Sequence, residues 1–187
     1  SGWRESSTEN CDLVLVSGGW SPVVNLLSHR GVKPKWNAEN ACFLPGDTKE
    51  PVTVAGSAAG IWRTGDCVAS GEAAGFQAVQ ALDRAAAEPS TPEPGGWLAP
   101  IRPLYEVRTP KRKLKSFVDL QHDVSTDDVR LAHREGYVSV EHLKRYTTLG
   151  MANDGGKMGN VIGLALMAEA LGKDIPEVGT TTFRPPY

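Results

Sequence analysis

The sequence has no long apolar run. No stretch approaches the roughly 20 consecutive residues that a membrane-spanning helix needs, so these 187 residues are expected to contain none. Nor is there an excess of charge of either sign. Twenty basic against twenty-two acidic side chains leave a formal charge of −2, which excludes a general attraction to nucleic acid or to an anionic membrane. Cysteine is scarce, and Cys11, Cys42 and Cys67 stand too far apart for a zinc or iron–sulfur pattern. An odd cysteine count without a secretory leader is expected of a reducing compartment, here the cytoplasm. Ser1-Gly2 reads as a tag remnant or a cut site rather than an address. The sequence also lacks the G-x-G-x-x-G opening of a dinucleotide-binding domain, with its acid for the ribose downstream.

Within these bounds the first half carries pieces of an α/β layer. Residues 11–16 form a short apolar run ending at Ser17-Gly18-Gly19 and read as a buried parallel strand. Pro22 permits a new start, with a helical turn over 23–28 and a weak strand over 41–44 before the Pro45-Gly46-Asp47 turn. Residues 52–55 predict a second strand, followed at once by Gly56-Ser57-Ala58-Ala59-Gly60 and an alanine-rich helix over 67–87 with Gly71 and Gly75. Strand, glycine turn and helix in that order bring backbone N–H groups beside a phosphate. Gly18, Gly19, Gly56, Ser57, Ala58 and Gly60 are therefore the candidate dinucleotide contacts. The blander explanation is close packing of a strand end, which also favours glycine.

Eight prolines and glycines crowd residues 89–110, which excludes a regular helix or a central strand there. We place a linker over 89–112, pasted onto its neighbour by Trp97, Leu98, Ile101, Leu104 and Tyr105. Beyond it, residues 113–120 predict a strand. Ser125 and Asp128 have the spacing of a capping box for a helix over 126–135 that stops at Gly136. Ser139 can cap a helix over 140–147, a third helix runs over 160–171 with Gly172 just past its end, and Asp174-Ile175-Pro176 begins one more turn. Residues 180–187 are expected to be extended.

The second half offers few catalytic constellations. Glu141 and His142 are adjacent and cannot face one ligand on a helix, and His122, His133 and His142 lack i,i+4 pairing, so no metal site is assigned. Lys144-Arg145-Tyr146-Thr147-Thr148 combines two cations and two hydroxyls at a helix end, near Gly150 and Lys157. Such a set can hold a phosphate or carboxylate through charge-assisted bonds. Equally it can be a solvated helix face with a fraying last turn. Arg184-Pro185-Pro186-Tyr187 reads either as a ligand for a partner groove or as a tail folded over a cofactor.

Two resemblances bear on these motifs. CDLVLVSGGWSP is similar to the strand–ATGRxPN segment of flavin- and pyridine-nucleotide-dependent disulfide-oxidoreductase-like domains, and VTVAGSAAG resembles their late strand ending in Gly-Asp. Trp20 stands where that pattern has Arg, and Ser57 where it has Asp. The run FVDLQHDVSTDDVRLAHREGYVSVEHLKRYTTLGMANDGGKMGN, continued by GTTTFRPPY, resembles the middle region of the alpha subunit of heterotetrameric sarcosine oxidase. Asn153, Gly155, Met158 and Gly159 depart from the Thr, Gln, Thr and Ser of that pattern.

The resemblance implies an internal fragment of such a subunit. Residues 1–88 would be the closing portion of an α/β FAD/NAD(P)-binding-type three-layer domain, and residues 113–187 a small mainly helical module leading to a folate-binding domain. It implies an enzyme complex that oxidises sarcosine with oxygen to glycine, a one-carbon unit and hydrogen peroxide. NAD would be held without turnover in the alpha subunit, FAD in the beta subunit and FMN at the alpha–beta interface. Lys144, Arg145, Thr147 and Thr148 would then contact the interface or the FMN, and beta, gamma and delta subunits would be the partners. No residue of this chain is assigned a catalytic role, and the chain alone is expected to be inactive. Two rivals stand beside this reading: a subunit of another secondary-amine, hydroxyproline or proline dehydrogenase, and a non-catalytic interface module.

Overall fold

The structure, a computed structural model, describes residues 7, 9–15, 19–89, 101–108, 115–179 and 183–185. Helix α1 (Asn25–His29) precedes an antiparallel hairpin of β1 (Lys35–Asn37) and β2 (Cys42–Leu44), in which Trp36 pairs with Phe43. The Asn37 side chain closes the hairpin turn, its Oδ1 accepting the Asn40 N–H at 2.7 Å. A single 3-10 turn at Gly56–Ala59 leads into helix α2 (Thr64–Gln80). A second hairpin pairs β3 (Phe117–Asp119) with β4 (Val124–Ser125), and helices α3 (Thr126–Arg134), α4 (Val140–Thr147), α5 (Asn160–Leu171) and α6 (Ile175–Val178) follow.

Helix α5 explains the packing. It is apolar on nearly every side, as a helix buried by its neighbours must be, and Gly163 through Ala168 are all buried. One side, through Leu166 and Met167, joins Val118, Val124, Val129, Ala132, Leu143 and Leu149 in the main core. The other side, through Leu164, joins Val140 and Phe43 in a second core that also gathers Trp36, Val161, Ile175, Val178 and Phe183. The first hairpin is thereby packed onto the helical module. Phe43 sits edge-on between Trp36 at 5.0 Å and Phe183 at 5.5 Å between ring centroids, a favoured aromatic geometry.

Amphipathic helices α3 and α4 cover α5. The first begins as its sequence predicts: the Ser125 N–H donates to Asp128 Oδ2 at 2.8 Å, and the Asp128 N–H donates back to Ser125 Oγ at 3.3 Å. Helices α4, α5 and α6 likewise occupy the predicted stretches, and Gly172 takes the left-handed conformation after α5. The expected strand over 113–120 is shorter. Asp119 Oδ1 accepts the N–H groups of Gln121 and His122, which bends the chain out of the ladder. Of the extended tail expected over 180–187, residues 183–185 are described and carry no regular structure.

The first half departs from expectation. The fold is mixed, with helices and small sheets, but both sheets among the described residues are two-stranded antiparallel hairpins. Residues 11–15 and 52–55, predicted as parallel strands of a three-layer domain, form none. Leu13, Val14 and Leu15 are 71–86% exposed. A parallel strand exists only beside a neighbour that completes its hydrogen bonds, and no described segment lies there. Helix α2 starts at Thr64 rather than 67, where Arg63 Nε donates to Asp66 Oδ2 at 2.7 Å, and it ends at Gln80 rather than 87. Only Ala69 of this helix is buried. Alanine propensity alone does not carry a helix past its last supporting contact.

Residues 101–108 of the expected linker are pasted onto the module, by charge more than by grease. Ile101 and Leu104 remain exposed. Arg108 instead grips Glu169 of α5 with bonds of 2.8 and 2.9 Å, and Glu106 bridges Arg108 to Arg130 of α3. Trp97 and Leu98 lie outside the described residues.

Candidate functional site

The two groups of candidate residues lie in different places. Gly56, Ser57, Ala58 and Gly60 form the 3-10 turn against the start of α2. The Gly56 N–H donates to Ser70 Oγ at 3.3 Å, and the N–H groups of Gly60 and Ile61 are bonded within the turn. Gly60 is left-handed, and a Cβ there would collide with the Leu44 side chain, so its smallness serves a close approach between turn and hairpin. Gly18 lies outside the described residues. Gly19 is separate from the turn and lines a cleft on the helical module.

At the end of α4, each side chain of the Lys-Arg-Tyr-Thr-Thr run has a distinct environment. Lys144, predicted from sequence as a presented cation, is only 2% exposed, with no hydrogen bond or ion pair found for it among the described residues. Burial pushes its amine below the usual lysine range; Glu141 opposes the shift, and Arg184 and Arg145 add to it. Thr147 Oγ1 donates back to the Leu143 carbonyl at 2.8 Å and accepts the Leu149 N–H. Thr148 caps the helix in the left-handed region at φ 63°, and its hydroxyl donates to the Thr147 carbonyl at 2.6 Å. Arg145 is exposed. Four residues adjacent in sequence thus do not converge as one phosphate cradle. The threonine protons are engaged locally and Lys144 points inward, which leaves Arg145 as the donor on the surface.

The following loop is closely fitted. Asp119 Oδ2 accepts the Gly150 N–H at 3.2 Å, and Asp154 accepts those of Gly156 and Met158 at 3.0 and 3.1 Å. Asn160, the first residue of α5, is wedged beneath Gly150 and Gly156, and a Cβ on either would strike its carboxamide. Two of the departures noted from sequence have a packing role here. Gly155 adopts φ 63°, and a Cβ on Gly159 would sit 2.7 Å from the Val118 carbonyl oxygen.

Sequence reasoning missed the cleft beside this loop. It has a volume of about 250 Å3 and lies between residues 19–25, the loop at 156–161 and the tail at Phe183-Arg184. Asn25 and Asn160, 7% and 4% exposed, both line it, and each has a buried Oδ1 without a hydrogen-bond partner. Lys157 and Arg184 line it as well, and Lys157 Nζ donates to the Arg184 carbonyl at 2.9 Å. Lone asparagines carry no signal in a sequence, and only the fold brings these two together.

Comparison with known proteins gives the lineage. Residues 113–187 match the family model of the sarcosine oxidase A3 domain. The chain is 42% identical over 182 residues to sarcosine oxidase subunit alpha of Rhizobium meliloti (strain 1021), covering 94% of this chain and 18% of that one. It is 36% identical over 192 residues to the subunit of the same name from Corynebacterium sp. (strain U-96), covering 98% of this chain and 20% of the relative. The chain therefore spans about a fifth of the length of the curated relatives it matches. Among solved structures it resembles L-proline dehydrogenase from P. horikoshii, with a TM-score of 0.62 and 20% identity over 89% of this chain and 35% of that one. At that identity the likeness concerns the fold alone. Residues 113–187 thus match the sarcosine oxidase A3 domain, and nearly the whole chain is similar to one segment of the longer sarcosine oxidase alpha subunits.

Proposed function

We propose that this chain acts within a sarcosine-oxidase-like flavoenzyme complex, in the cytoplasm, that oxidises sarcosine with oxygen to glycine, a one-carbon unit and hydrogen peroxide. The observation that carries the reading is the 42% identity to a sarcosine oxidase alpha subunit, sustained over 94% of the chain. In this reading residues 1–88 belong to a dinucleotide-binding layer that holds NAD, and residues 113–187 present a face to a beta subunit. FAD would be held by that beta subunit and FMN where the two subunits meet; gamma and delta subunits would complete the assembly, and a folate-binding domain would follow the helical module. The flavins would supply the redox chemistry. The chain contributes shape and charge: Arg145 as the exposed cation at the end of α4, set on a helix whose inner side is locked into both cores.

The buried Lys144 and the locally bonded Thr147 and Thr148 fit support of that surface better than direct contact with a phosphate. No proton or electron transfer is assigned to them. The test is reconstitution with the candidate partner subunits. Sarcosine should drive hydrogen peroxide formation by the complex and not by the chain alone, and Arg145→Glu should weaken assembly at least tenfold. Oxidation of proline but not sarcosine would replace this reading with the dehydrogenase rival. Full assembly with no flavin bound and no amine oxidised would replace it with the non-catalytic one.

A further inference from the structure

The cleft beside α5 is apolar at its edge as well as inside, and none of the roles above uses it. Val24, Val161 and Phe183 form its wall. Val23 and Met158 also line it yet are 55% and 69% exposed, and Trp20, between the lining residues Gly19 and Ser21, is 77% exposed. Met158 is one of the departures noted from sequence, an apolar residue where the related pattern has Thr. Exposed tryptophan and methionine around a concave apolar surface are residue types that interfaces concentrate. The charge beside them is of one sign, since Lys157 and Arg184 belong to the lining and no acidic side chain does. A complementary occupant brings consecutive aliphatic side chains flanked by carboxylates.

The chain itself carries such a segment. Residues 9–15 read Glu-Asn-Cys-Asp-Leu-Val-Leu, two acids and three aliphatic residues without a cation. All seven are exposed, Leu13, Val14 and Leu15 at 71–86%, so the segment does not fill the cleft of its own molecule. Only residues 16–18 separate it in sequence from Gly19 of the cleft lining. A segment rooted that close to the cleft can be exchanged between two copies, and a two-fold exchange makes the same contact twice.

We propose that two copies of this chain associate by exchanging residues 9–15 into each other's cleft, Leu13 to Leu15 against the apolar wall and Glu9 and Asp12 toward Lys157 and Arg184. The proposal does not need the sarcosine oxidase reading, and its failure leaves that reading untouched. Sedimentation velocity on the 187-residue chain should show a monomer–dimer equilibrium between about 1 and 100 μM, weakened several-fold by raising the salt. Leu13→Asp should leave a monomer throughout that range. Reversing the acids (Glu9→Lys with Asp12→Lys) should weaken the dimer about tenfold, and so should reversing the cations (Lys157→Glu with Arg184→Glu). Combining both reversals in one chain should bring the affinity back toward that of the parent, which a merely structural role for any of the four would not do. Residues 9–15 carry no regular structure and are exposed, so their variants keep the fold and the test stays open should the cation pair not fold. A parent that stays monomeric at the highest concentration, a Leu13→Asp variant that dimerises as the parent does, or combined reversals that recover nothing would each overturn the proposal.

Discussion

At the scale of single residues, Lys144 is the most consequential position. A nearly fully buried amine is stable only to the extent that it can shed its charge. Its folded-state pKa is depressed below the unfolded value of roughly 10.4, so between the two the unfolded chain binds more protons and stability rises with pH. The buried Cys42 thiol and Tyr105 phenol are shifted upward by burial and pull the other way at high pH. The difference between the parent and Lys144→Met isolates the lysine. Urea unfolding should find the methionine variant more stable by about 1 kcal/mol at pH 7, the gap closing toward pH 10. Thr148 is a second such position, a β-branched residue held at φ 63°. Thr148→Gly should raise stability by about 1 kcal/mol in the same assay, since glycine adopts that conformation without strain. The sequence marked both residues as functional candidates but hid their surroundings. Burial of a lysine on a polar-looking helix depends on what packs over it, which its neighbours in sequence do not set.

At the scale of elements, the legible features were those whose causes are local. The capping box of Ser125 and Asp128, the glycine after α5 and the turn at Asp174 are each written within a few neighbouring residues, and the helices they bound formed as predicted. The parallel strands were not legible, because a strand's existence lies in its partner. The attachment of residues 101–108 is intermediate: proline content announced irregular chain, but the ion pairs reach distant helices. Burial alone would raise the Glu106 carboxyl, yet hydrogen bonds from Arg130, Arg108 and Thr126 outweigh it and hold the group down to about 2. Its folded value lies below its unfolded one, so this stabilisation is complete above about pH 4.5 and is lost as pH falls toward 2. Glu106→Gln should cost about 2 kcal/mol at pH 7 and remove that part of the acid sensitivity, measured by thermal unfolding between pH 2 and 7.

At the scale of the whole molecule, the division expected from sequence and the packing observed run differently. A boundary at the proline-rich stretch separates residues 1–88 from 113–187 on paper. In space, Phe43 of the first hairpin completes a core whose remaining members are Val140, Leu164 and their neighbours. The candidate cleft crosses the same boundary, pairing Asn25 with Asn160, which is why no motif within either half announced it. That hairpin behaves as a plug belonging to the module it seals. Trimming the protein to residues 113–187 would uncork a greasy socket around Phe183 and Leu164, and the excised piece should melt well below the parent and bind a hydrophobic dye. Restoring residues 32–47 on a flexible tether should cure both defects, so the smallest autonomous unit of this protein is stitched from two distant stretches of chain.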